Sequence, residues 1–167
     1  MEGAGVPPQG RGTAGAAGLQ PVTGPGITVT LSDAPADVIN STTQELGRLV
    51  VHQQDIQAVV NAFWKGGAQG VTVQGQRIVT TTGIKCEGNA VQLQGIPYPQ
   101  PYVISAVGDQ AALLAAIEGD TYIQSYRNDA AQLDIAVGWQ LDAATTLTLP
   151  AYDGLLDLSY AQPVRDG

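Results

Sequence analysis

Between Asn61 and Gly108 the chain cannot run as long helices, because glycines and prolines interrupt it every few residues. Gly66-Gly67, Gly75, Gly83, Gly88, Pro97, Pro99, Pro101 and Gly108 all fall in that block, and such residues end or bend regular structure. The stretches left between them are Val71-Thr72-Val73, Arg77-Ile78-Val79, Gly83-Ile84-Lys85-Cys86 and Val91-Gln92-Leu93-Gln94. Their β-branched character predicts three or four short antiparallel segments, with a bulge at Gly75 and a turn at Glu87-Gly88-Asn89. Three prolines then interrupt pairing before Tyr102 to Val107, a strong strand. At its end Asp109 is placed to cap a second helix, Gln110 to Ile117.

The first helix precedes this block. Ile56, Val59, Val60 and Phe63 recur at the spacing of one helical face from Gln53 onward, and Gly66-Gly67 supplies the stop. Ile27 to Leu31 reads as the first strand, and Ser32 to Gly47 as irregular. Beyond Gly119 the pattern weakens, but Leu133 to Val137, Thr145 to Leu149 and Leu156 to Tyr160 have strand composition. The fold class is therefore α+β: an antiparallel-rich sheet with two main helices on one face, close to a ferredoxin-like split β-α-β arrangement. Residues 1–20, nearly all Gly, Ala, Pro and small polar types, read as a flexible linker. Residues 21–162 form the single domain, a size that buries about two-thirds of the surface exposed by the unfolded chain, and 163–167 are a C-terminal tail.

Charge removes several functions. Seven basic residues stand against fifteen acidic ones, a formal charge of -8, and the basic ones form no cluster. Nucleic acid needs an array of cations to displace condensed counterions, so it is excluded as a partner, and an anionic membrane surface fits no better. The single cysteine, Cys86, rules out an internal disulfide and any multi-cysteine metal site. No apolar run reaches the roughly 18 residues of a membrane span, and the amino terminus lacks the basic start and apolar core of a signal peptide.

The only histidine, His52, would have to serve any histidine-assisted nucleophile, with Cys86 as the nucleophile. Cys86 lies in a strand and reads as a small buried hydrophobe, whereas His52 reads as an ordinary polar residue before a helix. Paired carboxylates for acid–base work are not spelled out either. Asp109 reads as a helix cap, and Asp120, Asp129, Asp134 and Asp153 fall in turns or strand edges. Calcium-loop and zinc spacings are absent, and neither glycine-rich stretch fits a phosphate loop or a dinucleotide fingerprint. No metal and no cofactor is expected.

Several separated segments together resemble one bacterial family. They are Val22-Thr23-Gly24-Pro25-Gly26-Ile27-Thr28-Val29, Asp55, Val59-Val60-Asn61, Gly66-Gly67-Ala68-Gln69, Gly75-Gln76-Arg77-Ile78, Ile84-Lys85-Cys86, Pro101-Tyr102-Val103-Ile104, Ala106-Val107-Gly108-Asp109 and Leu149-Pro150-Ala151-Tyr152. Over residues 20 to 162 the chain is similar to domain of unknown function 881, common in actinobacteria and firmicutes. The resemblance implies a domain outside the cytoplasm, carried behind an N-terminal membrane helix and a short coiled coil and often encoded near cell-division or envelope genes. The helix and the coiled coil are not in the sequence, so the chain is soluble as given. Gln69 departs from the pattern, since the family often has an acid there.

The candidate interaction surface is Asn61, Trp64, Gln76, Arg77 and Thr81. Arg77 is the only arginine between Arg48 and Arg127, sits beside Gly75, and offers a planar donor for a carboxylate, glycan or peptide. The plainer account pairs Arg77 with Asp55 or Glu87 and packs Trp64 over the sheet edge. The expected function is a non-enzymatic extracytoplasmic domain of a membrane-anchored protein. Its partners are envelope or division proteins, or a second copy of itself, and the alternative is a small-ligand-binding or hydrolytic pocket near Arg77.

Overall fold

A computed structural model describes residues 20–87 and 90–152. Eight strands and four α-helices follow in the order β1 (Val22–Ser32), α1 (Ala36–Ser41), α2 (Gln53–Lys65), β2 (Gly70–Val73), β3 (Gln76–Ile78), β4 (Ile84–Glu87), β5 (Ala90–Leu93), β6 (Ile96–Tyr98), β7 (Tyr102–Val107), α3 (Gln110–Glu118), α4 (Thr121–Ala131) and β8 (Gly138–Leu149). A 3-10 turn, Leu46–Leu49, lies between α1 and α2.

The main sheet has the order β3-β2-β7-β1-β8 and is antiparallel throughout. Strand β7 lies between β1 and β2, which α2 connects, and β1 lies between β7 and β8, which α3 and α4 connect. These are two split β-α-β units, the ferredoxin-like arrangement the sequence pattern implies. One face carries Ile27, Val29 and Leu31 of β1, Ile104 and Ala106 of β7, and Val71 and Val73 of β2. All are buried with Ile56, Val59 and Phe63 of α2, Leu113 and Ile117 of α3 and Ile123 of α4. Period-two alternation sends the neighbouring side chains to the other face, where one row runs Arg77, Thr72, Ser105, Thr28, Asp142. The Thr28 and Ser105 hydroxyls meet in that row at 2.9 Å.

Strands β4, β5 and β6 form a separate antiparallel sheet. Ile84, Val91 and Leu93 bury one face of it in the same core. It is fastened to the start of α2 by a reciprocal pair, Cys86 N–H to Gln53 Oε1 at 3.0 Å and Gln53 N–H to Cys86 Sγ at 3.1 Å.

Several expectations need correction. Gly75 is no bulge. With Gln74 at φ 55 and Gly75 at φ 76, it closes a two-residue hairpin between Val73 and Gln76, the turn whose two positive φ angles match strand twist. Gln94-Gly95 repeats the same device, at φ 52 and 84, and joins β5 to β6. Pro97 does not prevent pairing, because β6 is an edge strand and its missing N–H can face outward. Strand β1 begins at Val22, five residues before Ile27, because Val22, Thr23 and Gly24 pair with Leu149, Thr148 and Leu147 of β8.

Leu133 to Ile135 is a turn, Ala136 and Val137 follow it without regular structure, and the strand expected there starts at Gly138 and runs through Thr145 to Leu149. Part of the segment read as irregular is helix α1. The third core-facing helix, α4, buries Ile123 and Tyr126 while its other side chains are mostly polar, so its apolar stripe is too thin to stand out. Asp109 caps α3 as expected, accepting the Ala111 N–H at 3.0 Å. Asp120, read as a turn residue, caps α4 by accepting the Ile123 N–H at 2.9 Å. Residues 1–19, the turn at Gly88-Asn89, the strand expected at Leu156 to Tyr160 and the 163–167 tail lie outside the described residues.

Candidate functional site

Arg77 is only 3% exposed, and its position opposite Thr72 on β2 puts it on the sheet face away from α2. Its Nη1 donates to the carbonyls of Gln20 and Pro150, both at 2.9 Å. Burial holds its pKa below the ordinary arginine value. Gly70 makes the close approach possible, since a Cβ there would lie 2.9 Å from the guanidinium carbon. Arg77 thus ties together the start of β1 and the end of β8.

The other four sequence candidates are dispersed. Asn61 is exposed on α2, and Trp64 is half-buried against the core. Gln76 pairs with Val73 at the edge of the main sheet. Thr81 borders a cleft of about 350 Å³ with Thr82, Gly83, Lys85, Gln92, Gln94, Gly95 and Tyr152. Arg77 does not line that cleft. Asp55, offered as a partner for Arg77, is bound elsewhere.

Polar chemistry concentrates instead at the amino-terminal end of α2. Asp55, in the first turn, is 9% exposed. One carboxylate oxygen, Oδ2, accepts the His52 backbone N–H at 2.8 Å and faces the His52 Nδ1 at 3.8 Å. The other, Oδ1, accepts the Tyr122 hydroxyl proton at 2.7 Å. A carboxylate in the first turn also meets the positive end of the helix dipole. Burial first, then the hydrogen bond to Asp55 and its charge, push the Tyr122 hydroxyl pKa well above the ordinary tyrosine value.

Two clefts flank this centre. One, of about 230 Å³, is lined by Asp33, Val50, Val51, His52, Cys86, Ala90 and Tyr102. It brings His52 to one cavity with Cys86, which is exposed and not the buried residue its strand position suggests. Yet His52 turns its Nδ1 toward Asp55, and the Cys86 sulfur accepts the Gln53 N–H. Asp33 is likewise engaged, accepting from Val51 N–H at 2.8 Å and from Gln100 Nε2 at 3.0 Å. Tyr102 is buried here, and burial, then Asp33, then Cys86, raise its pKa.

The second cleft, of about 350 Å³, runs along α2 and is lined by Gln53, Gln54, Gln57, Ala58, Asn61, Ile84, Asp120 and Tyr122. Asn61 is the one sequence candidate that lines it. Sequence reasoning passed over Tyr122, which stands in a weakly patterned segment. Asp55, three residues after His52 at a helix start, does carry the signature of a capping acid. Among the described residues no group of three or more His, Cys, Asp or Glu side chains could hold a metal ion, and no helix is long and apolar enough to cross a membrane.

Comparison with known proteins places these features in a family. A UPF0749 protein of Mycobacterium tuberculosis is 29% identical over 153 residues, which cover 89% of this chain and 49% of the relative. The UPF0749 protein YlxW of Bacillus subtilis is 37% identical over 100 residues, covering 58% of this chain and 40% of the relative. The chain therefore spans half or less of the length of these curated relatives. The crystal structure of an uncharacterized conserved protein from Mycobacterium tuberculosis shares the fold, with a TM-score of 0.65 at 18% identity over 85% of this chain and 90% of that one. The model of the family described as bacterial protein of unknown function (DUF881) matches residues 11–162, and the chain belongs to that family.

Proposed function

We propose that this is the non-catalytic recognition domain of a membrane-anchored envelope protein, held outside the cytoplasm and bound to a protein partner of the envelope or division machinery. The observation that carries the reading is a pair of exposed leucines on braced loops. Leu133 is 92% exposed and Leu46 60%, and neither stands on a loose segment. Thr42 Oγ1 donates to the Asp134 carbonyl at 2.7 Å, Gln44 Nε2 to Asp134 Oδ2 at 2.7 Å, and Arg48 Nη2 to Asp129 Oδ1 at 3.0 Å. Apolar groups held in fixed positions lose little conformational entropy on binding.

The two loops carry Glu45 and Asp134 beside the cation Arg48, and the end of α4 adds Arg127 and Asp129, the latter paired with Arg48. The fitting partner surface is an apolar pocket rimmed by basic residues. Anchoring and placement outside the cytoplasm draw support from the family resemblance, and the additional length of the relatives leaves room for an anchor.

The test uses the full-length protein in its own cells, with a photocrosslinking residue at Leu133 or, as a control, at exposed Thr146. A discrete adduct with one envelope or division protein from position 133, absent from 146, supports the reading. The same diffuse background from both positions overturns it.

A further inference from the structure

We propose that strand β8 pairs antiparallel with β8 of a second copy across a twofold axis at Leu141, so that two main sheets join into one. β8 is an edge strand, and with twelve residues it is the longest of the described strands. An open edge is a template for another strand, and natural edges are kept short or carry prolines and charges. The other edges of the two sheets follow that rule. β3 and β6 have three residues each, and β6 contains Pro97. β4 carries Lys85 and Glu87, and its Cys86 N–H is held by Gln53. β8 has no proline and no lysine, and its single charge is Asp142.

The bonding pattern of the sheet identifies the open groups. Gly108 N–H donates to the Pro25 carbonyl at 2.9 Å, one step beyond the Gly26↔Val107 pair. Alternation along β1 then aims the main-chain groups of Ile27, Val29 and Leu31 at β7, and those of Gly26, Thr28, Thr30 and Ser32 at β8. Their partners Ala144, Asp142, Gln140 and Gly138 face β1 in return. Trp139, Leu141 and Ala143 therefore turn their N–H and C=O groups to the edge, where no strand among the described residues pairs with them. Thr145 and Thr146 stand against the single Pro25, because the register passes from Gly26↔Ala144 to Gly24↔Leu147. That bulge bends the strand, so the pairing segment is Gly138 to Ala144.

This segment is complementary to its own reverse about Leu141, as a second copy requires and a foreign strand does not. A twofold axis there sets Trp139 against the partner's Ala143, Leu141 against its own counterpart, and Gln140 against the partner's Asp142. Every open residue then meets an open residue, giving about six main-chain bonds. Large meets small, and an amide meets a carboxylate. Within one chain Gln140 Nε2 already donates to Asp142 Oδ2 at 2.8 Å. Moving the axis to Asp142 would set two carboxylates directly opposite each other, which is destabilising. Moving it to Gln140 would set Asp142 against glycine and carry Ala143 beyond the partner strand. The contact is isologous and closes at two subunits.

About six bonds lie at the low end for a protein interface, and each chain carries a formal charge of -8. The dimer is accordingly weak, with a Kd of about 10–100 µM, and it tightens as salt screens the repulsion between copies. It is independent of the partner contact at Leu46 and Leu133.

The test is sedimentation equilibrium of the full chain from about 1 to 500 µM, alongside amide hydrogen exchange. The weight-average mass is expected to rise from the 17.2 kDa of one chain toward twice that value, while exchange at Leu141 and Ala143 slows over the same range. Ala143→Pro removes an edge-facing N–H, which an edge strand tolerates, and is expected to weaken association at least about tenfold. Gln140→Lys, opposite the partner's Asp142, is expected to tighten it about threefold, and Gln140→Glu to weaken it about threefold. Asn61→Lys makes the same charge change at an exposed position on α2 and should leave Kd within about twofold. Gln140 is exposed, so its variants decide the matter if circular dichroism shows that Ala143→Pro does not fold. A monomer at every concentration overturns the proposal: protected Leu141 and Ala143 amides would then mark an edge covered from within the chain, and unprotected ones an edge left for a foreign strand. Association untouched by a folded Ala143→Pro, or a Gln140→Lys effect no larger than that of Asn61→Lys, overturns it as well.

Discussion

Tyr122, at the start of α4, donates its hydroxyl proton to Asp55 in the first turn of α2, across a sequence separation of 67 residues and a distance of 2.7 Å. The bond ties together two helices that pack on the same sheet face, and the half-exposed tyrosine ring lines the cleft along α2. Tyr122→Phe keeps the ring and removes a charge-assisted bond to a buried carboxylate. It is expected to lower unfolding free energy by about 1–3 kcal/mol in urea denaturation.

The three tyrosines with raised pKa values set an alkaline limit. Burial is the largest cause for Tyr102, Tyr122 and Tyr126, with neighbouring carboxylates adding to it. Each hydroxyl holds its proton more tightly folded than unfolded. The associated stability is therefore fully present below the ordinary tyrosine pKa of 10.0 and is lost as pH rises beyond it. Denaturation midpoints measured between pH 8 and pH 11 should stay level and then fall, and Tyr122→Phe should make the fall shallower.

Gly70 and Arg77 form a second unit. A methyl group at Gly70 would meet the guanidinium at 2.9 Å and push it off the Gln20 and Pro150 carbonyls. Gly70→Ala is expected to cost about 1–3 kcal/mol, since the buried guanidinium loses acceptors, and Arg77→Met less, since the Gln20 and Pro150 carbonyls belong to exposed residues and can turn to water. Hydrogen exchange should speed up at Val22, Thr148 and Leu149 and change little in α2.

Gln53→Ala removes the acceptor of the Cys86 N–H and loosens the small sheet from α2. A loss of about 0.5–1.5 kcal/mol is expected, together with faster maleimide modification of Cys86, which thiol-labelling kinetics would read.

Leu133→Asp alters a side chain that is almost wholly exposed, so stability should change by less than about 0.5 kcal/mol. The in-cell adduct at this loop should nevertheless disappear. Unchanged crosslinking from a probe at neighbouring Gln132 would count against a contact there.

The parts legible in sequence were those with a dense local signal. The helical face of Ile56, Val59, Val60 and Phe63, the Asp109 cap and strand β7 each rest on a few adjacent residues, and all three are present. Helix α4 escaped because only Ile123 and Tyr126 are buried in it. The Gln74-Gly75 hairpin escaped because a glycine between short apolar runs reads equally as bulge or turn. At the site, Asn61 could be singled out from its own helix, but the Tyr122–Asp55 bond could not, since nothing local to either residue points to the other. Arg77 stood out for its isolation in the sequence, and that isolation carried no information on which face of the sheet it occupies.

The clasp of Arg77 on Gln20 and Pro150 also has a mechanical meaning. Strand β1 lies between β7 and β8, so tension applied at its amino end along the strand axis must shear two rows of hydrogen bonds at once instead of opening them one by one. Arg77 adds a charged cross-tie where that load enters, on the sheet face opposite the helices. A pull on this end would therefore be resisted by the sheet, and the cleft along α2 would keep its shape under tension.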